Sequence, residues 1–144
     1  MTTVRDILAR KGPTVVTVEP HSSVLEAAQL MNSRGIGAVL VTREGKLEGI
    51  FTERDVMRRV VAGQLDPATT PVCDVMSTAL VVTTQEAPIR ECAALMTSRR
   101  IRHLPVMSAD ALIGVITTGD LMAFEVAEQA VTIAQLSSYV YDTR

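Results

Sequence analysis

The chain has 144 residues, of which 47% are hydrophobic, 21% charged and only 3% aromatic, with no tryptophan. This length fits one ordinary globular domain or two very small ones, and the scarcity of aromatic residues predicts an aliphatic core. Lysine and arginine number 14 against 16 aspartates and glutamates, which gives a net charge of −2. Such a balance excludes a general positive field for nucleic acid or an anionic membrane and favours small ligands as partners.

The N-terminus lacks the layout of a signal peptide and no apolar run approaches a membrane span, so we expect a cytoplasmic protein. The two cysteines, Cys73 and Cys92, show no CxxC spacing and have no pair of histidines nearby. We therefore expect neither a metal site nor redox chemistry. Cys92 lies among Ala93, Ala94 and Leu95 and is interpreted as a small core residue.

In chain order, the first half predicts a helix, a strand, a helix, two strands and a helix. Val24, Ala27 and Met31 keep helical spacing behind a serine cap at position 22 or 23. The dipeptide Glu44-Gly45 is interpreted as the turn between two strands. The predicted elements are a helix at 4–10, a strand at 15–18, a helix from 22 or 23, strands at 37–42 and 46–51, and a helix from 52 to about 62.

The second half repeats this pattern at a constant offset of 65 residues (120 − 55 = 65). Residues 17–57 align with 82–122 without a gap, and matches fall on apolar, turn and capping positions alike. We interpret this as an ancient duplication. The corresponding elements are a helix at 72–76, a strand at 80–83, a helix at 88–99, strands at 102–107 and 111–116, and a helix from 117 to about 127.

A C-terminal tail extends beyond the second copy. Thr132 and Gln135 resemble a fresh helix cap, which predicts a break and then a second helix. Ile133, Leu136 and Val140 give that helix an apolar face. The face needs a surface to pack on, and we favour the chain's own module over a second subunit.

Two stretches carry the candidate chemistry, GIFTERD at 49–55 and GVITTGD at 114–120. In each, a strand ends at a threonine that opens a helix, where unsatisfied amides and a positive dipole favour an anion such as phosphate. The aspartate three residues later, when ionised, can accept hydrogen bonds but cannot donate them, which suits the two hydroxyls of a ribose. The same Thr-x-x-Asp pattern is also a capping box, and the two roles can coexist.

The two copies differ in their charged neighbours. The second offers Arg102 and His103, two candidate phosphate contacts, where the first has Gly37 and Ala38. Strand alternation lets only one of them face a given cleft, and a solvated edge remains the alternative. Arg54, which occurs only in the first motif, either reaches a phosphate at the other copy's cleft or faces water.

A purine would need an apolar slot, which residues 16–18, 36–39 and 81–83 could supply together with Ile101 and Leu104, although these are core residues first.

The repeated order of elements, the two G-h-x-T-x-x-D stretches (h is an apolar residue) and the IRHLPV sequence at 101–106 resemble the CBS domain. A tandem pair of such domains is known as a Bateman module. The resemblance implies an α/β fold of two pseudo-symmetric repeats, each a small sheet with packed helices. It also implies a flat, disc-like homodimer and a cleft that binds adenine-containing ligands, with AMP, ADP, ATP or NAD ahead of S-adenosylmethionine.

We expect the first repeat at 1–62, a linker at 63–71, the second repeat at 72–127 and the helical tail at 128–144. The residues expected at the ligand are Thr117, Asp120, Arg102, His103, Leu104, Thr52, Asp55, Arg54, Thr17, Val18, Val82, Thr83, Ile36, Gly37 and Ala38.

The leading functional hypothesis is a non-catalytic regulatory or energy-sensing module that binds adenine nucleotides and is read by an unidentified protein partner. The alternative is a ligand-independent interaction module that acts through its dimer surface and tail. An enzyme ranks third, because no Ser-His-Asp set, HExxH motif or P-loop is present and neither histidine has a partnered nucleophile.

Overall fold

The computed structural model describes residues 2–12 and 14–142, with side chains up to residue 137. Within the described residues, its elements follow the predicted order of helices and strands, except that no strand forms at 80–83. They are α1 (Val4–Lys11), β1 (Thr17–Val18), α2 (Val24–Arg34), β2 (Ala38–Arg43), β3 (Lys46–Thr52), α3 (Glu53–Asp55), a π-helical stretch (Val56–Val61), a 3-10 turn (Val72–Asp74), α4 (Ile89–Arg99), β4 (His103–Ser108), β5 (Ala111–Thr117) and α5 (Thr118–Asp142).

Both halves build the same antiparallel hairpin. In the first, Ala38 of β2 lies opposite Thr52 of β3; in the second, His103 of β4 lies opposite Thr117 of β5. Each hairpin carries a register shift at the equivalent place, and corresponding strands bury the same positions. The duplicated sequence therefore gives a duplicated unit, and the predicted α/β fold of two pseudo-symmetric repeats is confirmed.

The repeats differ in their first strand. β1 pairs parallel to β2, and Leu40 N donates to Val16 O at 3.1 Å. The position equivalent to Leu40 is Pro105, which has no N–H to donate. Within the described residues, 80–83 is joined to β4 only by an isolated bridge from Thr83 to Val106. The full strand predicted at 80–83 is therefore wrong.

The short helical segments at the start of the two repeats are exchanged between two hydrophobic cores. α1 comes first in the sequence, but Val4 and Ile7 pack into the core of the second repeat with Leu104 and Ile116. The 3-10 turn supplies Val72 to the core of the first repeat. Because each repeat closes the other's core, the two repeats are mechanically connected.

The glycine of each G-h-x-T-x-x-D motif permits this exchange. A Cβ on Gly114 would lie 2.7 Å from Leu8 Cδ2, and a Cβ on Gly49 would lie 2.5 Å from Met76 Sδ and 3.0 Å from the Ser77 carbonyl oxygen. The exchanged segments pack directly on these two strand positions. The close approach, rather than a turn, favours glycine at both positions. A Cβ on Gly49 would also meet backbone, whereas at Gly114 only the Leu8 side chain would have to shift.

α5 is a single helix of 25 residues, so the break predicted before Thr132 is wrong. No glycine or proline follows Gly119, and Ala, Leu, Glu and Gln favour helix continuation. In its described residues the tail does not cover its own module either, because its large apolar side chains there are exposed. These are Val131, Ile133 and Leu136.

The side chains of Tyr139 and Val140 lie outside the described part of the chain. None of the helices in that part is both long and apolar enough to cross a membrane.

α2 and α4 end in the same left-handed conformation on different residues. Gly35 follows α2 with φ 63°, and Arg100 follows α4 at the equivalent position with φ 55°. A side chain is strained in this conformation, whereas glycine adopts it freely.

We expect Arg100→Gly to raise the free energy of unfolding by about 0.5–1 kcal/mol and Gly35→Ala to lower it by about 1–2 kcal/mol. Nothing lies within 4 Å of a Cβ built on Gly35, so the second change adds no steric clash to the backbone strain. Urea unfolding followed by circular dichroism measures both values. A destabilised Arg100→Gly variant would contradict the strain argument.

Candidate functional site

Both Thr-x-x-Asp pairs form capping boxes at strand-to-helix junctions. Thr52 N donates to Asp55 Oδ2 at 3.0 Å, and Asp55 N donates to Thr52 Oγ1 at 3.3 Å. Thr117 N donates to Asp120 Oδ2 at 2.8 Å, and Asp120 N donates to Thr117 Oγ1 at 3.1 Å. The capping interpretation is therefore confirmed for both copies.

A third such pair shows that the pattern alone is not a binding signal. Thr3 N donates to Asp6 Oδ2 at 2.9 Å at the start of α1, a capping box that sequence reasoning missed. This pair is not preceded by a glycine-containing strand. A ligand role for the other two must therefore depend on their surroundings.

Those surroundings differ between the two aspartates. Asp55 has a side chain only 8% exposed, with Oδ1 at 3.7 Å from Arg59 Nε on its own helix. Asp120 is 22% exposed, and its Oδ2 accepts a hydrogen bond from Lys11 Nζ at 2.7 Å. Lys11 comes from α1, 109 positions away in the sequence (120 − 11 = 109). Asp120 is thus the more accessible carboxylate, and its cation comes from another element.

Asp120 lies in a cleft of about 530 Å³ between the two repeats. This volume is within the usual range for small-molecule sites. Apolar side chains, a carboxylate, a hydroxyl and basic groups all line the space. The lining residues are Lys11, Thr14, Val16, Arg34, Gly35, Ile36, Gly37, Ala38, Leu40, Ile50, His103, Val115, Thr117 and Asp120.

The structure brings one group of predicted site residues together in this cleft. From the second repeat come His103, Thr117 and Asp120, and from the first come residues 36–38. The first repeat therefore contributes to the cleft of the second motif. Sequence reasoning assigned Arg102 and His103 to that motif as neighbours, and only His103 lines its cleft.

The other predicted residues do not line this cleft. Leu104 is fully buried in the second core, and Thr83 is buried against Cys92 at 3.6 Å between Oγ1 and Sγ. Arg102, which comes immediately before β4, is exposed. The remainder, also outside the lining, are Thr17, Val18, Thr52, Arg54, Asp55 and Val82.

Several lining residues were missed by sequence reasoning. Val115 lies two positions before Thr117 on β5, so strand alternation puts both on one face, and Ile50 has the same relation to Thr52. Alternation would have found these two. Lys11 and Thr14 gave no local signal, because tertiary packing of α1 brings them to the cleft.

His103 is half-buried at the edge of the cleft. Burial lowers the pKa of its imidazole, as do the positive charges of Lys11 and Arg102, while Glu53 and Asp120 act in the opposite direction. Glu53 was also missed: a Cβ on Gly37 would come 2.5 Å from Glu53 Oε1 and 3.7 Å from His103 Cε1. The cleft therefore favours the neutral imidazole.

Among the described residues, no group of three or more His, Cys, Asp or Glu side chains is placed to hold a metal ion. Cys92 is buried, as predicted, and burial raises the pKa of its thiol.

The sequence model of the CBS domain matches residues 3–62 and 72–127, so the chain belongs to the CBS-domain family and carries the domain twice. It is 34% identical over 130 residues, 90% of each chain, to the CBS domain-containing protein YhcV of Bacillus subtilis. A solved CBS-domain protein from Burkholderia ambifaria is 40% identical, with a TM-score of 0.86 and coverage of 89% of this chain and 96% of that one.

The CBS-domain pair of protein MJ0100 was solved in complex with 5'-methylthioadenosine and S-adenosyl-L-methionine. It is 22% identical with a TM-score of 0.79, covering 89% of this chain and 98% of that one. At this identity the likeness shows a shared fold alone.

We expect the free energy of unfolding to fall as the pH drops from about 7.5 to 5.5, partly because of His103. Its pKa in the folded chain lies below the ordinary value of 6.5, so the unfolded chain binds more protons in this range. His103→Gln should flatten the dependence, measured by urea unfolding at several pH values. The exposed His21 provides the control His21→Gln; an unchanged slope in His103→Gln would refute the assignment.

Proposed function

We propose that this CBS pair is a non-catalytic regulatory module that binds an adenine nucleotide of the AMP, ADP, ATP or NAD type in the cleft at Asp120. One observation carries the proposal. A capping box that presents a carboxylate and a hydroxyl opens into a cleft of about 530 Å³ with an apolar wall and basic groups. A nucleotide needs each of these features: an apolar slot for the base, an acceptor for the ribose and donors for the phosphate.

The ribose is assigned to Asp120. Both hydrogen bonds that its carboxylate accepts within the described chain go to Oδ2, from Thr117 N and Lys11 Nζ. Oδ1 can therefore accept from a ribose hydroxyl without breaking the helix cap. Thr117 Oγ1 accepts from Asp120 N, and its own hydrogen remains available for a ligand oxygen.

The base is assigned to the apolar part of the cleft. Val16, Ile36, Leu40, Ile50 and Val115 supply aliphatic contacts. Residues 36–38 bring their backbone to the same wall, which would allow polar groups of the main chain to contact the edge of a purine. With no aromatic side chain in the lining, the base would pack on aliphatic groups and peptide planes.

Regulation follows from where the cleft lies. Its walls come from both repeats, so a ligand that fits better when the repeats are slightly closer or farther apart would shift their packing. The exchange of α1 and the 3-10 turn between the two cores would transmit that shift through the module. A protein partner could then recognise one of the two arrangements.

A nucleotide at 100 times its dissociation constant should stabilise the chain by about 2.7 kcal/mol and raise the melting temperature. We expect this for at least one member of a panel of AMP, ADP, ATP and NAD, with S-adenosylmethionine included as the second choice. Differential scanning fluorimetry measures the shift. No shift with any of these compounds would end the nucleotide proposal.

Asp120→Asn should weaken nucleotide binding about tenfold or more, because the ribose loses a charged acceptor. Asp55→Asn is the matched control, since it changes the same residue in the same kind of capping box but outside this cleft. Calorimetric titration of both variants should show the larger loss for Asp120→Asn. Equal losses would contradict the assignment of the site to Asp120.

We further propose a homodimer. Met57 and Val61 in the first repeat, and their equivalents Met122 and Val126 at the offset of 65, are exposed by 58–67%. On α5 the exposed apolar set continues through Ile133 and Leu136. Large apolar residues exposed at equivalent positions of both repeats favour an interface with a second copy.

The same surface supports the second candidate function, a ligand-independent interaction module.

Met57→Glu combined with Met122→Glu should convert the dimer to a monomer, because it places charges in the proposed interface. Sedimentation velocity measures the change. Val82→Glu, at another exposed apolar position (43% exposed), is the control and should remain dimeric. A monomeric wild-type chain would contradict the homodimer proposal, and a dimer insensitive to every nucleotide would favour the second candidate function.

A further inference from the structure

Lys11 lies at the cleft but belongs to neither of the two G-h-x-T-x-x-D motifs. It is the last residue of α1, and the chain then turns at Gly12 with φ 93°. Its ammonium donates to Val115 O at 2.8 Å and to Asp120 Oδ2 at 2.7 Å. Its side chain is 29% exposed, so the charge is fixed by these two partners while still facing the cleft.

The two acceptors of Lys11, Val115 O and Asp120 Oδ2, leave one N–H donor of its ammonium group unused. A lysine ammonium has three N–H donors, and Val115 O and Asp120 Oδ2 use two of them. The third is available to a ligand that already contacts Asp120. A ligand whose ribose contacts Asp120 Oδ1 carries its 5′ substituent nearby, since that carbon is attached to the same sugar ring.

We propose that Lys11 is the specificity-determining residue of this cleft: it holds Asp120 for the ribose and gives its third donor to the 5′-phosphate. The cleft then selects phosphorylated adenine nucleotides over uncharged adenosine and over ligands with a cationic 5′ substituent. This inference rests on the proposed function and specifies its ligand class. Arg34, which lines the same cleft, adds a second cation with the same preference.

The first repeat offers no equivalent arrangement. Residues 76–81 follow the 3-10 turn and lead toward the first motif, in the same way that Lys11 and the residues after it lead from α1 toward the second motif. Residues 76–81 contain no lysine or arginine. The cation next to Asp55 is Arg59, on the same helical segment, and its guanidinium also donates to Met76 O at 3.1 Å. Of the two motif aspartates, Asp120 is therefore the one held by a cation that comes from another element and lines the cleft.

The test is calorimetric titration of the full chain with AMP and with adenosine at fixed ionic strength. Wild-type protein should bind AMP at least about tenfold more tightly than adenosine. Lys11→Met should weaken AMP about tenfold and change adenosine less than about threefold, because Thr117 N still holds Asp120 Oδ2. Increasing salt should weaken AMP binding more in wild-type protein than in Lys11→Met.

Lys46→Met is the matched control, because Lys46 is exposed at the start of β3 and does not line the cleft. It should leave the ratio of AMP to adenosine affinity unchanged. Lys11→Gln, which keeps a donor for Val115 O without the charge, provides a second variant should Lys11→Met unfold. It should lose the same preference for AMP.

The outcomes separate the two proposals. A wild-type chain that binds neither AMP nor adenosine overturns the proposed function and this inference with it. A wild-type chain that binds both equally, or a Lys11→Met variant that loses both equally, overturns the role of Lys11 and leaves nucleotide binding in place.

Discussion

The strand-to-helix junction G-h-x-T-x-x-D is the constraint on which the rest of this molecule depends. Its glycine admits a side chain from the exchanged helical segment, Leu8 on Gly114 and Met76 on Gly49. Its threonine ends the strand and is capped by the aspartate, with Thr117 N at 2.8 Å from Asp120 Oδ2. One seven-residue unit therefore joins a hairpin, a helix and the partner repeat, and it places a carboxylate where these elements meet.

The two junctions share one motif but have unequal surroundings. The hairpins keep the same register and the same buried positions, so the difference does not lie in the backbone. The two junctions differ in the cation that reaches the aspartate. Arg59 on its own helix approaches Asp55, which is nearly buried, whereas Lys11 from α1 reaches Asp120 at the cleft. A carboxylate that is held by a distant element and remains accessible is better suited to a ligand.

Much of the fold was predictable because it follows local rules. Strand alternation, the serine cap of α2 and the offset of 65 gave the order of elements and the two hairpins. The errors have physical causes as well. Pro105 removes a ladder donor that the first repeat has at Leu40, which shortens the pairing of 80–83. A chain without glycine or proline after residue 119 simply continued its helix through the expected cap at Thr132.

The sequence by itself determined the duplication, the two capping boxes and the face of the strand that carries Thr117, because each depends on residues close together in the chain. It also predicted ligand contacts at His103 and residues 36–38, which the structure places in the lining of the cleft. Only the tertiary structure decided that α1 completes the core of the second repeat and brings Lys11 to Asp120. No local pattern encodes that contact, since it results from the packing of α1 against apolar residues that lie 85 to 112 positions later in the chain (92 − 7 = 85 and 116 − 4 = 112).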